Sequence, residues 1–421
     1  MYAFKIKGGK TLLGTTEIKG AKNATLPLLI CALLTKKTLT IHNVSQLSDI
    51  KVLIELLRGM GSNIQLDGDT IHLTTPEITS THAPYELLSK MRAGFWVIGP
   101  LLARMRKAHV SLPGGCALGA RKLDIYFSAL ETMGAKIDID GGYVSASGTL
   151  HGAEIFPHRI TVGGTITILM AAVLTKGTTI IHNAAMEPEV VDVENMLLKM
   201  GAKIQGVGTN TLTVEGVDEL NGAEWYPVPD RIETATFAIA AALTKGNIFL
   251  KGARLDLMGN TANVLKHNGL IFTQKEDGLQ IDATQAHLTE QTIQTAEYPG
   301  LATDDQPCLT AMSCLAKGET LITDAIFDNR FMHVPELQRM GAHIDVINNQ
   351  SILIHGVEHL TGATVTASDL RGGAALVLAG LVAQGETIVQ RIYHVDRGYY
   401  KMEEKLAALG ADIERIWQDY P

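Results

Sequence analysis

A single cysteine in a glycine-rich stretch is the first candidate for chemistry. Residues 111–124 read SLPGGCALGARKLD, with Cys116 among three glycines and Arg121 five residues further on. An arginine and a helix start lower the pKa of a nearby thiol and raise its thiolate fraction. Loops on rigid scaffolds often carry functional groups of this kind. The local pattern leaves two interpretations open: a working thiol, or a surface cysteine in a flexible turn.

The other three cysteines have structural explanations. Cys31 lies in LPLLICALL, and Cys308 and Cys314 lie in CLTAMSCL, where small buried thiols pack as hydrophobic groups. The four cysteines form no CxxC pair and have no metal-ligand spacing. This usage predicts free thiols in a reducing compartment, without disulfides or structural zinc.

Basic residues recur in unusually apolar or glycine-bearing segments. The six are Lys22 in KGAKNATLP, Arg92 in SKMRAGFW, Arg121 in GARKLD, Arg330 in DNRFMHVPEL, Arg371 in SDLRGGAAL and Arg397 in HVDRGYY. Arginine binds phosphate and carboxylate groups through a bidentate fork. Each alone is commonly a structural ion pair, as Arg371 would be with Asp369 or Arg397 with Asp396. Six such residues at element boundaries favour an anion-binding site.

Carboxylates supply the candidates for a general base. They are Asp49, Asp304, Asp305, Asp369 and the pair Glu187/Glu189. Asp304 lies in YPGLATDDQPCL, directly before an apolar helix. Two interpretations stay open for it: an N-terminal helix cap, which is the simpler one, or a base that faces a binding cleft.

Composition restricts the class of protein. The 421 residues are 46% hydrophobic and 19% charged and include 41 glycines, which is typical of a soluble globular α/β protein of two or three domains. The net charge of −8 argues against a nucleic-acid partner. The chain has no signal-peptide pattern and no apolar run of about 18 residues, so we expect a cytoplasmic protein without a membrane span. It also has no GxxxxGK[ST], GxSxG or HExxH motif.

An internal repeat organises the elements that must position these residues. One sequence motif recurs six times, roughly every 70 residues, as in ALETMGAKI and LQRMGAHI. It consists of leucine, a variable residue, methionine or leucine, glycine, a small residue and isoleucine. Its glycine predicts a helix end ahead of a strand. Helices such as TFAIAAAL are apolar nearly all round and should be buried, whereas strands such as TLTVEG alternate and leave one face in water. We therefore predict six repeats of two helices and about four strands, grouped as two pseudo-symmetric domains of three.

The expected division lies in Tyr226-Pro-Val-Pro-Asp230, where two prolines interrupt the pattern between the third and fourth repeats. The alternative is an ordinary loop inside one large domain.

These segments together resemble a known family. The segments are GAKNA with Lys22 and Asn23, MRAGFW, LPGGCALGAR, VGGTITI, PDRIETATF, ATDDQP, NRFMHVPELQRMGA, DLRGGAALVLAG and RIYHVDRGYYKMEEKLAALGA. In order and spacing they resemble the UDP-N-acetylglucosamine 1-carboxyvinyltransferases, a branch of the enolpyruvyl transferases. The similarity runs from about Lys5 to Arg415, and the cysteine loop and NRFMHVPEL are specific to that branch.

The resemblance implies a fold and a reaction. The fold is a pair of inside-out α/β domains, each of three repeats with buried helices and outward-facing sheets. Residues 22–229 would form the first domain with a mobile cysteine loop at about 112–121, and residues 1–21 and 230–421 the second, with the active site in the interdomain cleft. The enzyme would transfer enolpyruvate from phosphoenolpyruvate to the 3′-hydroxyl of UDP-N-acetylglucosamine, release phosphate and need no metal or organic cofactor. This is the first committed step of peptidoglycan synthesis.

The resemblance also assigns roles to residues. Cys116 would protonate the methylene carbon of phosphoenolpyruvate and form a covalent adduct with it or with fosfomycin, and Asp304 would take the proton of the attacking hydroxyl. The phosphoenolpyruvate contacts would be Lys22, Asn23, Arg121 and Arg397. The UDP-sugar contacts would be Arg92, Arg121, Lys122, Leu123, Asp124, Ile125, Arg159, Thr161, Val162, Gly163, Asp304 and Ile326. Arg330, Asp369 and Arg371 match further charged residues around the reacting centre.

Three positions depart from the family pattern, and three rival functions remain. Lys122 stands where a proline is frequent, Tyr126 where a histidine is frequent, and Arg159 where a lysine is frequent, which affects the expected uridine contacts.

The rivals are the sister enzyme that acts on shikimate 3-phosphate, an RNA 3′-terminal phosphate cyclase, and a non-catalytic UDP-sugar binder. The cysteine loop argues against the first, the acidic balance against the second, and the presence of Cys116 and Asp304 against the third.

Overall fold

A computed structural model describes residues 1–113 and 123–418. Within this part of the chain there are two compact units. The first unit comprises residues 20–113 and 123–228, and the second unit comprises residues 1–19 and 229–418. The chain therefore passes between units at Lys19/Gly20 and again at Val228/Pro229.

The strands are short, and most have five or six residues. They are β1 (Tyr2–Lys7), β2 (Leu13–Glu17), β3 (Leu39–Ile41), β4 (Asn63–Asp67), β5 (Thr70–Thr74), β6 (His82–Ala83), β7 (Lys107–Ser111), β8 (Lys136–Asp140), β9 (Tyr143–Ser147), β10 (Glu154–Ile155), β11 (Thr178–His182), β12 (Lys203–Gln205), β13 (Thr211–Glu215), β14 (Ala223–Trp225), β15 (Asn247–Lys251), β16 (Ile271–Lys275), β17 (Gly278–Asp282), β18 (Thr292–Gln294), β19 (Glu319–Thr323), β20 (His343–Asn348), β21 (Ser351–His355), β22 (Thr364–Thr366), β23 (Glu386–Gln390) and β24 (Asp412–Trp417).

The α-helices lie between these strands. They are α1 (Lys22–Ile30), α2 (Ser48–Gly59), α3 (Tyr85–Leu88), α4 (Ile98–Met105), α5 (Asp124–Thr132), α6 (Val162–Ala172), α7 (Pro188–Lys199), α8 (Arg231–Thr244), α9 (Asn260–His267), α10 (Gln306–Ser313), α11 (Val334–Arg339), α12 (Leu370–Gly380) and α13 (Met402–Ala408). Short 3₁₀ helices span Cys31–Leu34, Arg92–Val97, Leu255–Leu257 and Ile392–Arg397.

Six four-stranded sheets share one topology. In each sheet an outer strand runs parallel to its neighbour, and the other two pairings are antiparallel, as in β10-β11-β13-β12 and β18-β19-β21-β20. The first unit contains β14-β3-β5-β4, β6-β7-β9-β8 and β10-β11-β13-β12. The second contains β16-β17-β15-β2, β18-β19-β21-β20 and β22-β23-β1-β24. The predicted α/β fold of six repeats, three to a domain, is therefore confirmed.

The most completely buried elements of both units are helices, as the apolar segments predicted. Every residue of α8 and α10 is buried, and the apolar helices α6 and α12 are buried apart from their first residues. Strands such as β13 alternate between buried and more exposed residues, so each such sheet covers the helices with one face only. No helix in the described residues combines the length and apolar character needed to cross a membrane.

The recurring glycine of the repeat ends a helix in every copy. Gly134, for example, follows α5 with a φ of 101°, a left-handed conformation that favours glycine directly after a helix. The equivalent glycines of the other five repeats also have positive φ angles: Gly61, Gly201, Gly269, Gly341 and Gly410.

Candidate active site

Asp304 in the second unit lies between two arginines. Arg330 donates from Nη2 to Oδ1 of Asp304 at 2.8 Å, and Arg371 contacts Oδ2 through Nε at 3.1 Å and Nη2 at 3.0 Å. Both arginine side chains are 3% exposed, whereas the Asp304 side chain is 26% exposed. Two buried cations thus hold a carboxylate that still reaches solvent. The helix-cap interpretation is wrong for Asp304, because α10 begins two residues later and its capping residue is Asp305.

A chain of hydrogen bonds fixes Arg330 from behind. Its Nη1 donates to Oγ1 of Thr303 at 2.6 Å, and Thr303 in turn donates to Oδ2 of Asp324 at 2.6 Å. Asp324 is fully buried and also accepts from the backbone N–H groups of Ile326 and Phe327 at 3.0 Å each. Asp324 therefore helps to hold the loop after β19, which carries Ile326 and leads to Arg330.

Arg371 is positioned by the start of its helix and by an aromatic ring. Asp369 caps α12 by accepting from the backbone N–H of Arg371 at 3.0 Å and of Gly372 at 2.9 Å. The expected Arg371–Asp369 side-chain pair is wrong, because the guanidinium turns to Asp304 and lies 5.2 Å above the Tyr399 ring centre. Burial acts to lower the pKa of Arg371, but Tyr399, Asp304 and Asp230 together raise it well above its usual value. The guanidinium beside Asp304 stays positively charged.

A second, buried acid lies next to Asp304 in the chain. Burial raises the pKa of Asp305 to about 7, although Thr261 donates to its Oδ2 at 2.6 Å and opposes the rise. The adjacent Asp304 charge also raises it. The two neighbouring carboxyl groups therefore lie in different environments: Asp305 is buried, whereas Asp304 is partly exposed and contacts two arginines.

Arg397 lies at the end of the 3₁₀ helix Ile392–Arg397, which packs against α12. The half-buried His394 of the same helix has a lowered pKa, because of burial and then of the nearby Arg397 charge. Asp396 forms a bidentate pair with Arg415 at 2.7 and 2.9 Å.

In the first unit, Lys22 begins α1 and contacts Asp49 in the first turn of α2. The distance from Lys22 Nζ to Asp49 Oδ2 is 3.4 Å, and the two side chains are 10% and 5% exposed. Asn23 is the next residue of α1, and Arg92 begins the 3₁₀ helix Arg92–Val97. Lys22 is thus a nearly buried cation with a carboxylate partner.

The predicted UDP-sugar segments of the first unit meet around the start of α5. Asp124, the first residue of α5, lies 3.3 Å from His158 Nε2 and 3.5 Å from Arg159 Nη2. Leu123 precedes α5, and Ile125 follows in it and is buried. Thr161 precedes α6, which opens with Val162 and Gly163.

Tyr126 occupies the space beside Gly163. A side-chain carbon at Gly163 would overlap the hydroxyl of Tyr126 and the indole nitrogen of Trp96. Tyr126 also packs edge-on against Phe95 at 5.7 Å between ring centres. Tyr126 is thus part of the packing at the start of α6.

Cys116, Arg121 and Lys122 lie outside the described residues. The other three cysteines are buried as expected, and burial raises the pKa of each, that of Cys308 and of Cys314 to about 12. Those three thiols are therefore packing groups.

The sequence reasoning missed several polar residues behind the site. Thr303 and Asp324 orient Arg330, and Tyr399 supports Arg371 while sharing a 2.8 Å hydrogen bond with Thr236. Buried Glu233 pairs with Lys405 at 2.7 Å. Position supplied a signal for two of them, because Thr303 precedes Asp304 and Asp324 follows β19 directly.

Sequence and structure comparisons place this chain among known proteins. A family model described as EPSP synthase (3-phosphoshikimate 1-carboxyvinyltransferase) matches residues 6–406. The UDP-N-acetylglucosamine 1-carboxyvinyltransferases of Paramagnetospirillum magneticum and Rhodopseudomonas palustris are each 51% identical to it, over 99% of this chain and at least 99% of theirs. The chain belongs to the UDP-N-acetylglucosamine 1-carboxyvinyltransferase family. It is accordingly an enzyme of the transferase class.

Solved structures of enolpyruvyl transferases share the fold of this family member. The enolpyruvyl transferase NikO from Streptomyces tendae has a TM-score of 0.86 at 23% identity, covering 98% of each chain. EPSP synthase from Acinetobacter baumannii has a TM-score of 0.78 at 19% identity, covering 99% of this chain and all of the other.

Proposed function

We propose that this enzyme transfers the enolpyruvyl group of phosphoenolpyruvate to the 3′-hydroxyl of UDP-N-acetylglucosamine and releases phosphate. Full-length relatives that carry this activity in their name, at 51% identity, support the substrate pair. The observation that carries the mechanism is Asp304, a partly exposed carboxylate held by two buried arginines. The reaction would be the first committed step of peptidoglycan synthesis, in the cytoplasm, with these two small molecules as substrates.

Asp304 is proposed as the general base. Arg330 and Arg371 contact different oxygens of its carboxylate, so they fix the plane of the carboxylate. It takes the proton of the sugar hydroxyl while the hydroxyl oxygen bonds to the central carbon of phosphoenolpyruvate. A positioned base of this kind contributes about 10²–10⁴-fold to rate.

Cys116 is proposed as the acid. It gives a proton to the methylene carbon as the new carbon–oxygen bond forms, which produces a tetrahedral intermediate. The bond from the central carbon to the phosphate oxygen then breaks, the methyl group returns a proton to the Cys116 thiolate, and the double bond re-forms. Phosphate leaves with the electron pair of that bond, so atoms and charge balance without any external oxidant or reductant.

The anionic substrates are assigned to the basic residues. Lys22, Arg121 and Arg397, with Asn23, are proposed to bind the phosphate and carboxylate of phosphoenolpyruvate, because cations stabilise the charge that develops on the leaving phosphate. Arg330, Asp369 and Arg371 are proposed to support Asp304. The proposed UDP-sugar contacts are Arg92, Arg121, Lys122, Leu123, Asp124, Ile125, Arg159, Thr161, Val162, Gly163, Asp304 and Ile326.

A phosphate-release assay tests the reaction. Phosphate should appear only when both phosphoenolpyruvate and UDP-N-acetylglucosamine are present. Release with shikimate 3-phosphate in place of the UDP-sugar would support the activity named in the family description instead. A protein that releases no phosphate with either acceptor would contradict the proposal.

Variants and labelling test the roles of the two residues. We expect Asp304→Asn to lower kcat by about 10²–10⁴-fold, whereas Asp277→Asn, at the exposed turn between β16 and β17, should retain it. Fosfomycin should add to Cys116 and to none of the three buried cysteines, as measured by peptide mass spectrometry. Full turnover in Asp304→Asn, or an adduct on another residue, would overturn the assignment.

A further inference from the structure

We propose that His343, Asp345 and His355 form a binding site for a divalent transition ion, Zn²⁺ being the ion considered. The three residues lie on one sheet of the second unit. Their ligand atoms all lie within 4.8 Å of one another. Among the residues that the structure describes, this is the group of three potential metal ligands found at such a spacing. His343 and Asp345 are exposed and His355 is partly exposed, so an ion can reach them from solvent.

Strand register brings the three side chains to one face. His343 of β20 lies directly opposite His355 of β21, and Asp345 lies two residues further along β20. Because side chains alternate along a strand, positions 343 and 345 point the same way. The two imidazole rings are 4.3 Å apart between centres. The antiparallel pairing, and not a flexible loop, therefore sets the spacing of the ligands.

The contact of His355 Nδ1 with Glu319 matches one that a metal-ligating histidine makes. Its Nε2 lies 3.0 Å from Oδ2 of Asp345, and its Nδ1 lies 2.9 Å from Oε1 of Glu319 on the neighbouring strand β19. A histidine that binds a metal through one nitrogen usually donates from the other to a carboxylate. Glu319 would accept the hydrogen bond from Nδ1. The ion would take the place of the proton between Nε2 and Asp345.

The distances suit one ion after small side-chain rotations. An ion bound at about 2.1 Å in tetrahedral geometry holds its ligands roughly 3.4 Å apart. The Asp345–His355 contact is already shorter than this, and exposed side chains adjust readily. Two imidazoles with one carboxylate select Zn²⁺, Ni²⁺ or Cu²⁺ over Mg²⁺ or Ca²⁺, which prefer oxygen ligands alone.

The repeats provide an internal comparison. The cross-strand pair equivalent to His343/His355 is Lys203/Glu215 in the third repeat, where the side chains form an ion pair at 2.8 Å. In the other repeats the equivalent pairs are Asn63/Thr74, Lys136/Ser147, Ile271/Asp282 and Asp412/Lys7. Of these six pairs, that of the fifth repeat has two imidazoles, so the fold itself does not require them.

The test is Zn²⁺ binding to the full chain, measured by isothermal titration calorimetry. The matched variant is His343→Lys/His355→Glu, which installs the pair of the third repeat and retains a complementary cross-strand contact. The second control is His109→Ala, which removes an exposed histidine of the His82–His109–Tyr143 stack in the first unit. Thermal unfolding without metal checks that each variant is folded.

We expect the wild-type chain and His109→Ala to bind one more Zn²⁺ ion than His343→Lys/His355→Glu. Zn²⁺ should raise the Tm of the wild-type chain and leave that of the double variant unchanged. Glu319→Ala should bind the ion about 10–100-fold more weakly, because it removes only the supporting carboxylate. Equal stoichiometry and affinity in the wild-type chain and the double variant would overturn the site, and so would displacement of Zn²⁺ by equimolar Mg²⁺. These readouts do not depend on the transfer reaction.

Discussion

At the scale of single residues, Arg330 and Arg371 give Asp304 its properties. A carboxylate alone at a surface rotates and is screened by water. Here each oxygen accepts from a different buried guanidinium, and each guanidinium is itself held, Arg330 by Thr303 and Arg371 over the Tyr399 ring. The orientation of the proposed base thus depends on residues that do not touch the reacting atoms.

The first prediction concerns the fork of Arg371. Arg371→Lys keeps the charge but cannot make the paired Nε and Nη2 contacts with Asp304, so we expect kcat to fall about 10–100-fold. Steady-state phosphate release measures this. The matched control is Arg254→Lys, which alters an exposed pair with Asp256 in the same unit and should leave kcat unchanged. A wild-type kcat in Arg371→Lys would show that the fork is not required.

The second prediction concerns a buried acid in the first unit. Burial raises the pKa of Glu194 from 4.5 to about 7, against a lowering hydrogen bond from the Gly208 N–H at 2.9 Å. Between those pH values the folded chain retains a proton that the unfolded chain has lost, so the free energy of unfolding falls as pH rises through this window. Glu194→Gln has no such titration, so its free energy of unfolding does not fall in this window. The free energy of unfolding of Glu194→Gln minus that of the wild-type chain should therefore be larger above pH 7 than near pH 4.5, by on the order of 1–3 kcal/mol.

Thermal unfolding of the wild-type chain and Glu194→Gln at pH 5 and pH 8 checks this. The Tm difference between them should increase toward pH 8. Glu219→Gln, at an exposed position of the same unit, serves as the control and should show no such trend. A constant Tm difference for Glu194→Gln would show that Glu194 is ionised throughout.

At the scale of elements, helix starts carry much of the proposed site. Lys22, Arg92, Asp124, Val162 and Arg371 each lie at the first or second position of a helix, and Asp369 caps α12. The N-terminal turn of a helix has unpaired N–H groups and a positive dipole end, which suits anionic ligands. Short strands and short helices multiply such ends within each unit.

The third prediction tests the packing at the start of α6. Gly163→Ala places a methyl group into the Tyr126 hydroxyl and the Trp96 indole, so we expect a lower Tm, with a destabilisation of about 1–3 kcal/mol. The double variant Gly163→Ala/Tyr126→Phe removes the obstructing hydroxyl of Tyr126 and should recover part of the lost stability. Gly59→Ala, which meets no atom within 4 Å near the end of α2, is the control and should not lower the Tm.

Additive effects of Gly163→Ala and Tyr126→Phe would contradict a direct contact between these positions.

Sequence patterns predicted the helices and strands better than they predicted which side chains contact each other. The recurring glycine phrase and the all-apolar helices gave six repeats and buried helices, because both signals are local and periodic. The partner of Arg371 was predicted as Asp369, two residues away, whereas the side chain meets Asp304 from a different repeat. The Thr303–Asp324 contact joins residues 21 apart in the chain, with α10 and β19 between them. No local pattern reports contacts of this kind, since the packing of whole elements creates them.

At the scale of the whole molecule, the second unit is completed by the first strands of the chain. β1 lies between β23 and β24, and pairs with both in antiparallel register, while β2 runs parallel to β15. Phe4 and Ile6 of β1 are fully buried in the core of that unit. A segment of fewer than twenty residues is thus a structural part of a unit whose remainder begins at Pro229.

The fourth prediction follows from this pairing. Phe4→Ala removes a fully buried ring and should destabilise the chain by about 3–5 kcal/mol. Hydrogen exchange should increase in β23 and β24, the strands that pair with β1. Phe156→Ala, which truncates a ring that is 68% exposed in the first unit, is the control and should leave these strands protected. Unchanged exchange in β23 and β24 after Phe4→Ala would contradict a central role for β1.

The position of β1 also has a consequence during protein synthesis. Roughly 380 residues separate it from its first partner β23, which at about 5–20 residues per second corresponds to some 20–80 seconds of translation. The strands of the first unit, in contrast, all pair among residues 39–225 and emerge from the ribosome in one continuous block. A nascent chain would therefore hold two unpaired, partly apolar strands while that block folds. Chaperones that bind extended apolar segments have a defined target in residues 2–7 throughout that interval.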